Sequence, residues 1–316
     1  MKIIRELIRS ARPTSTALGY FDGVHKGHQA VIREAVENGR KNGLIPTVFT
    51  LLQSPRTVLR GERSSNIITL DEKLSILESI GVEQVYLIDF ETIKKISAED
   101  FIRDILCGCF YAKHVSCGFN YHFGAGAKGS GEMLEEMCEA FGISVLARPR
   151  IMYENIPVSS TRIRECIVSG NIRSANVMLG REYGFRLSVI HGRQLGRQWG
   201  TPTLNQEFPE GLVQPLFGAY VASVTVDGRK YCGVTNIGMK PTVGSDRVLI
   251  ETWMPEYRGR ELYDEVLDVR LLDFIRGERK FNNTDELKNE IYQNGAEAKK
   301  VFMSHYSAEA GMSFLL

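Results

Sequence analysis

Residues 19–28 read Gly19-Tyr20-Phe21-Asp22-Gly23-Val24-His25-Lys26-Gly27-His28. A strand-like run, Thr16–Tyr20, leads into this string, and a helical pattern, His28–Asn42, leaves it. Two histidines three residues apart fall on one face of a first helical turn. Both imidazoles then lie beside the free backbone N–H groups of a helix N-terminus, a natural phosphate site. The glycines keep bulk away, so that a nucleotide can approach the backbone. An H-x-G-H loop of this kind predicts nucleotidyl transfer from a nucleoside triphosphate. Two histidines also suit a metal, but no third ligand is near in sequence.

The pattern around the loop sets the fold class. Candidate strands are Thr16–Tyr20, Ile45–Leu51, Gln84–Asp89, His114–Gly118 and Ile143–Ala147. Helical patterns lie between them at His28–Asn42, Asp71–Ile80, Ala98–Leu106 and Gly131–Phe141. Gly43 and Gly81 stand where a left-handed residue stops a helix. Strand and helix in alternation predict an α/β, doubly wound parallel sheet. Such sheets bind ligands at the carboxyl ends of strands, where the histidine loop stands.

Residues Arg162 to Leu179 read as a helical pair broken at Gly170-Asn171. Beyond Gly184 the runs are short and strand-like: Phe185–Ile190, Ala219–Val226, Tyr231–Asn236, Leu249–Trp253 and Glu265–Leu272. Asp227-Gly228 is a hairpin signal. A small antiparallel β-barrel follows, closed by a C-terminal helix starting near Asn283, with Glu286 completing a capping box. The boundary is expected near Arg181–Gly184, giving domains 1–182 and 183–316.

The 316 residues suffice for two domains, and 39 basic against 38 acidic side chains leave a net charge of +1. That balance excludes the basic excess of a nucleic-acid binder. No apolar run is long enough to span a membrane, and residues 1–16 lack a secretory apolar core. The six cysteines include no C-x-x-C pair, which speaks against structural zinc and fits a reducing compartment. The expectation is a cytoplasmic protein. No sequence feature indicates an oligomeric state.

Three further strings carry polar chemistry. Cys117-Gly118-Phe119-Asn120-Tyr121-His122-Phe123-Gly124 is followed by Gly129; Val158-Ser159-Ser160-Thr161-Arg162-Ile163-Arg164 opens a helix. The third is Gly196-Arg197-Gln198-Trp199-Gly200-Thr201-Pro202-Thr203-Leu204-Asn205. Taken singly, each has a plain structural reading: a turn, an N-cap and an Asx turn. In order, and with the histidine loop, the four strings resemble the bifunctional bacterial riboflavin kinase/FMN adenylyltransferase (FAD synthetase) family from about residue 15 to about residue 295.

For the first domain the resemblance implies adenylyl transfer from ATP to FMN, giving FAD and pyrophosphate. His25 and His28 would be catalytic, stabilising charge on the phosphates. Gly19, Phe21, Asp22 and Gly23 would shape the ATP site, and Ser159, Ser160, Thr161, Arg162 and Arg164 would grip the β- and γ-phosphates. Asn120, Phe123 and Gly124 would lie at the flavin end. For the second domain the resemblance implies ATP-dependent phosphorylation of riboflavin to FMN. Gly200, Pro202, Thr203 and Asn205 would bind ATP, with Thr203 and Asn205 as oxygen ligands of Mg²⁺. Glu251 would be the general base, although strand periodicity equally permits an outward-facing glutamate. Arg276 would contact flavin. The implied partners are riboflavin, FMN, ATP and FAD, with no nucleic acid and no membrane.

The chain departs from the family pattern at Asn120, where relatives carry aspartate, and at Gln53-Ser54-Pro55, where they read His-Pro. Lys240 replaces an arginine and Thr201 an apolar residue. A single retained activity is therefore one alternative. Transfer to another acceptor, such as pantetheine phosphate or nicotinamide mononucleotide, is a second, and a non-catalytic flavin-binding module a third.

Overall fold

The computed structural model describes residues 1–55, 58, 65–192, 201–242 and 245–312. Contacts divide the chain into two compact units, Met1–Ser160 and Thr161–Leu316.

The first unit carries six parallel strands: β1 (Lys2–Ile4), β2 (Thr14–Leu18), β3 (Ile45–Leu51), β4 (Gln84–Ile88), β5 (Ala112–Gly118) and β6 (Ser144–Arg148). Their order across the sheet is β1-β4-β3-β2-β5-β6. Helices α1 (Lys26–Asn42), α2 (Leu70–Ile80) and α3 (Gly131–Glu139) connect them. β2 and β4 are buried at every residue, as parallel strands covered on both faces must be. The chain moves outward from β2 through β3 to β4, then returns to the other side of β2 as β5 and β6. β2 and β5 are thus neighbours at the topological switch point, where open α/β sheets bind ligands.

The predicted strands and helices of this unit form within a few residues of their expected bounds, and Gly43 and Gly81 stop their helices at φ 66° and 104°. Besides two short turns, Phe90–Ile93 and Ala125–Ala127, three features differ. β1 is absent from the sequence reading because its three residues sit in a charged stretch. A short hairpin, β7 (Met152–Tyr153) with β8 (Ile156–Pro157), also escaped it. The helix expected at Ala98–Leu106 is α-helical only at Ala98–Asp100 and continues as a π-helix, Phe101–Cys109. Its last carbonyls, without helical partners as at any helix end, accept from outside: Gly108 O from Arg9 (3.0 Å) and Cys109 O from the Ser10 N–H (2.7 Å).

In the second unit, which begins one residue into α4 (Ser160–Val168), the rest of α4 and α5 (Ile172–Leu179) precede the barrel strands. They bury Ile163, Ile167, Ile172, Met178 and Leu179 completely, and the Asn176 amide donates to Leu271 O (2.9 Å). Gly170 packs against Leu216 and Phe274. These contacts explain why the compact unit begins at Thr161, ahead of the boundary expected at 182/183.

The strands are β9 (Tyr183–Ser188), β10 (Thr203–Glu207), β11 (Gly218–Val226), β12 (Arg229–Thr242), β13 (Ser245–Trp253) and β14 (Val266–Gly277). They form an antiparallel sheet in the order β10-β13-β12-β11-β14-β9. One bridge, Ile190 with Asn205, joins the two edges and closes the barrel. Inside, the amide of the fully buried Gln206 donates to Leu187 O (2.7 Å) and Leu267 O (3.1 Å), stitching β10 to β9 and β14. The turn Asp227-Gly228 has φ 50° and 76°, the left-handed pair of a type I′ hairpin. Helix α6 (Thr284–Met312) begins as expected, with Asn283 Oδ1 accepting from the Glu286 N–H (2.8 Å). Its apolar side covers Val221, Val234 and Trp253 on the outer face of the barrel.

The unexpected strand is β10, read from sequence as a turn because Pro202 and Asn205 are turn formers. Pro202 stands one residue before the strand, where its missing N–H breaks no ladder bond.

Replacing Gln206 with leucine strands the Leu187 and Leu267 carbonyls. Urea unfolding followed by tryptophan fluorescence should show the barrel weakened by about 1–3 kcal/mol.

Candidate active sites

In the first unit, the loop after β2 is held in a conformation that ordinary residues avoid. Phe21 (φ 55°), Gly23 (φ 79°) and Val24 (φ 38°) all have positive φ. Backbone strain of this kind persists only where the surroundings over-determine it. Here the buried Asp22 does so: its Oδ1 accepts from the Ile67 N–H (2.9 Å), and its carbonyl accepts from the Ser160 hydroxyl (2.9 Å). The Gln29 amide donates to Val24 O (2.9 Å). A Cβ at Gly19 would meet the Phe21 ring at 2.7 Å, and one at Gly23 would meet Ile67 at 2.9 Å.

This loop delivers His25 as the N-cap of α1. The His28 N–H donates to His25 Nδ1 (3.2 Å). A ring nitrogen that accepts carries no proton, so neutral His25 bears its proton on Nε2 and presents a donor there. The two imidazoles stack at 3.5 Å between centroids with an interplanar angle of 18°. The Phe21 ring meets His28 edge-on at 5.3 Å. The predicted pair is therefore brought together at a helix N-terminus, with His25 at the cap and His28 three residues on.

Of the other predicted residues, Phe21 and Asp22 are buried and shape the loop from behind. Ser160 bonds the loop directly, next to Ser159. Thr161, Arg162 and Arg164 lie in the second unit, on α4.

The second loop of this unit leaves β5, the neighbour of β2. Asn120 is exposed there. Gly124 has φ 73° and lies so close to Ala98 that a Cβ would fall 2.8 Å from its backbone nitrogen. Phe123 is in the core, 5.3 Å from the Phe101 ring and pressed on Gly129. Its ring braces the loop. The exposed ring is that of Phe119, covered by the Arg150 guanidinium at 4.2 Å. A sequence reading has no means of telling which of the two aromatics turns inward.

The sequence also passed over the segment behind the loop. Asn66 Oδ1 accepts from the Tyr20 hydroxyl (2.9 Å), and Lys73 Nζ donates to Tyr20 O (3.0 Å). Lys73 is buried, and burial pulls its pKa down to about 8 against the opposing attraction of Asp22.

In the second unit, strand register assembles the site. Asn205 stands opposite Glu251, and Glu251 opposite Asn236. Asn236 in turn faces Ala219, and Ala219 faces Arg276. Residues opposed across a sheet share a face, with Cβ atoms about 4.5–5.5 Å apart. Glu251 is thus flanked on both sides by asparagine amides, on the outer face that α6 partly covers. Asn236 is the member of this row to which the sequence assigned no role. Arg276 ends the row and is tied to α6 through Glu290 (2.7 Å).

Thr203 lies two residues before Asn205 on the same face of β10. The Asn205 Nδ2 leans toward Thr203 O (3.4 Å), which leaves Oδ1 as the acceptor. A Cβ at Gly192 would reach Asn205 Nδ2 at 2.5 Å, so a larger residue there would push the amide aside. A hydroxyl, an amide oxygen and close backbone form an oxygen-only donor set that suits a hard divalent cation. Pro202, Thr203 and Asn205 also line a cavity of about 320 Å³ with Met254, Tyr257 and Tyr263. Gly200 and the four motif residues before it, 196–199, with the side chain of Lys240, lie outside the described residues. Among the described residues, no three His, Cys, Asp or Glu gather as a metal site, and no helix is long and apolar enough to cross a membrane.

A histidine-capped helix at the switch point of a parallel sheet, and a barrel with oxygen donors beside a carboxylate, fit a two-domain phosphate-transferring enzyme. Known proteins make this specific. The family model described as FAD synthetase matches residues 7–162, and the one described as riboflavin kinase matches residues 179–302. Bifunctional riboflavin kinase/FMN adenylyltransferases are similar over nearly the whole length. That of Pseudomonas fluorescens is 31% identical, covering 95% of this chain and 97% of the relative. That of Bacillus subtilis is 33% identical, over 90% of this chain and 92% of the relative. A crystal structure described as a macrolide-efflux protein from Streptococcus pneumoniae matches with a TM-score of 0.85 and 30% identity, over 94% of this chain and 98% of that one.

The chain belongs to the bifunctional riboflavin kinase/FMN adenylyltransferase family. It is an enzyme of flavin-nucleotide biosynthesis, with an adenylyltransferase part and a kinase part.

Gly27 is helical, so alanine there suits the backbone, yet its Cβ would press the His25 ring at 3.1 Å. Gly27→Ala should hold or raise the melting temperature while lowering FAD formation from FMN; an unchanged rate would show that the ring position is not critical.

Proposed function

We propose that His25 and His28 carry adenylyl transfer to FMN, and that Glu251, Thr203 and Asn205 carry phosphorylation of riboflavin, each with ATP as donor. The observation that supports this most is the locked His25–His28 pair at the N-terminus of α1. Domains 1–182 and 183–316 are the proposed functional division.

In adenylyl transfer, a phosphate oxygen of FMN attacks the α-phosphorus of ATP. The bond to the β-phosphate oxygen breaks, and pyrophosphate leaves. No covalent enzyme intermediate is needed, so the rate comes from positioning and charge stabilisation. His25 donates from Nε2 to a phosphate oxygen, and His28, stacked upon it, adds a second donor. The free N–H groups of α1 face the same charge. Gly19, Phe21, Asp22 and Gly23 hold the loop open. Ser159, Ser160, Thr161, Arg162 and Arg164 supply donors and positive charge to the leaving pyrophosphate. Asn120, Phe123 and Gly124 form the flavin end, with Phe123 acting as a brace.

In the kinase reaction, the riboflavin 5′-hydroxyl oxygen attacks the γ-phosphorus and ADP leaves. Glu251 accepts the hydroxyl proton. Asn205 and Asn236 stand on either side of it in the same cross-strand row. Gly200, Pro202, Thr203 and Asn205 hold ATP, and Arg276 lies toward the flavin. The divalent cation that Thr203 and Asn205 would hold is Mg²⁺, which neutralises phosphate charge when bound. FMN made by the second part is the substrate of the first. The reactions need riboflavin, FMN and ATP, yield FAD, and call for neither a membrane nor a nucleic acid; the cytoplasm is the proposed location.

The two assignments separate by mutation. His28→Ala should lower FAD formation from FMN about 10²–10³-fold and leave FMN formation unchanged. Glu251→Ala should lower FMN formation about 10²–10⁴-fold and spare FAD formation from added FMN. Chromatography of the flavins reads both, and equal loss of both products in both variants would refute the two-site assignment. Chelation with EDTA should abolish FMN formation, and Mg²⁺ should restore it.

A further inference from the structure

Lys73 is a costly residue for the fold. It stands on the first turn of α2, only 5% exposed. Its ammonium donates to Tyr20 O (3.0 Å) and lies 4.4 Å from the centre of the Tyr20 ring. The same carbonyl accepts from the Thr50 hydroxyl (2.8 Å), so both of its lone pairs are engaged. Asp22 is the charged group facing Lys73 among the described residues, and its Oδ1 is committed to the Ile67 N–H. A buried ammonium with one carbonyl partner and a shared carboxylate is poorly compensated.

The sign of the titration agrees. Burial lowers the folded-state pKa from 10.5 to about 8. The protonated lysine therefore costs stability below pH 8, and that cost is relieved as pH rises toward the unfolded value. A methionine would fill the same space without the charge.

What the charge gains is position. Tyr20 O is the last carbonyl before the three left-handed residues of the loop. Lys73 pins it from one side while Asp22 pins the next residue but one. The ammonium also sets a positive charge under a loop whose proposed ligand is a polyphosphate. We infer that Lys73 is a positioning residue of the adenylyl-transfer site, fixing the Tyr20–Val24 turn and adding to the field that holds the ATP phosphates. This rests on the reading of the histidine loop as that site.

Lys73→Met tests it in the full chain. The variant should melt at or above the wild-type temperature. FMN formation from riboflavin should be unchanged. FAD formation from FMN should fall about 10–100-fold, as for loss of a charged hydrogen bond, with KM for ATP raised. Wild-type FAD formation should also decline as pH rises through about 8, and that limb should vanish in the variant. Unaltered FAD formation, or loss of both activities with a lowered melting temperature, would overturn the inference. Should wild-type protein make no FAD, the reading of the loop fails instead. Equilibrium binding of ATP then decides for Lys73: weaker binding by Lys73→Met supports it, and equal binding refutes it.

Discussion

The buried carboxylate of Asp22 is the interaction on which the first site depends. It caps the Ile67 N–H while its own carbonyl takes the Ser160 hydroxyl, so three distant stretches of chain meet at one residue. The backbone on either side can then keep positive φ at Phe21, Gly23 and Val24. That turn in turn sets His25 at the head of α1 with its Nδ1 filled by the His28 N–H. Without the anchor, relaxation of the turn would move the histidines away from the free N–H groups of the helix. The geometry is thus inherited from a single desolvated carboxylate, whose loss would leave a buried N–H unsatisfied as well.

The two units solve the same problem differently. Both must hold polyphosphate charge beside a reacting oxygen. In the proposed reading, the parallel unit uses a helix N-terminus at the switch point, where N–H dipoles converge. The barrel is proposed to do it with side chains on its strands. It offers oxygen donors on β10 and a carboxylate on β13, a set matched to a cation that carries phosphate with it. Placing the two chemistries in one chain makes the product of one the substrate of the other.

Much of this was legible beforehand. The strand–helix alternation and the turn signals at Gly43, Gly81 and Asp227-Gly228 are local, and local chemistry decided them. The histidine spacing put both rings at one helix N-terminus because cap and first turn are fixed by sequence distance. What escaped was non-local. The row Asn205–Glu251–Asn236 exists only through strand register, and no spacing along the chain announces it. Lys73 lies 53 residues from its Tyr20 partner and reads as an ordinary helical lysine. Phe119 and Phe123 look equivalent in sequence, and only the fold decides that the second is core. β10 was mistaken for a turn because turn-forming residues also serve at a strand start, where the edge pairing depends on a partner far away.

The central claim is that one chain uses ATP twice, cleaving it at a different phosphorus each time. Isotope tracing tests it most directly. The protein is incubated with riboflavin and ATP labelled at either the α- or the γ-phosphate, and the flavins are separated. The account predicts γ-label in FMN and in the FAD made from it, and α-label in FAD alone. Alpha-label confined to adenine nucleotides, or γ-label absent from FMN, would contradict it.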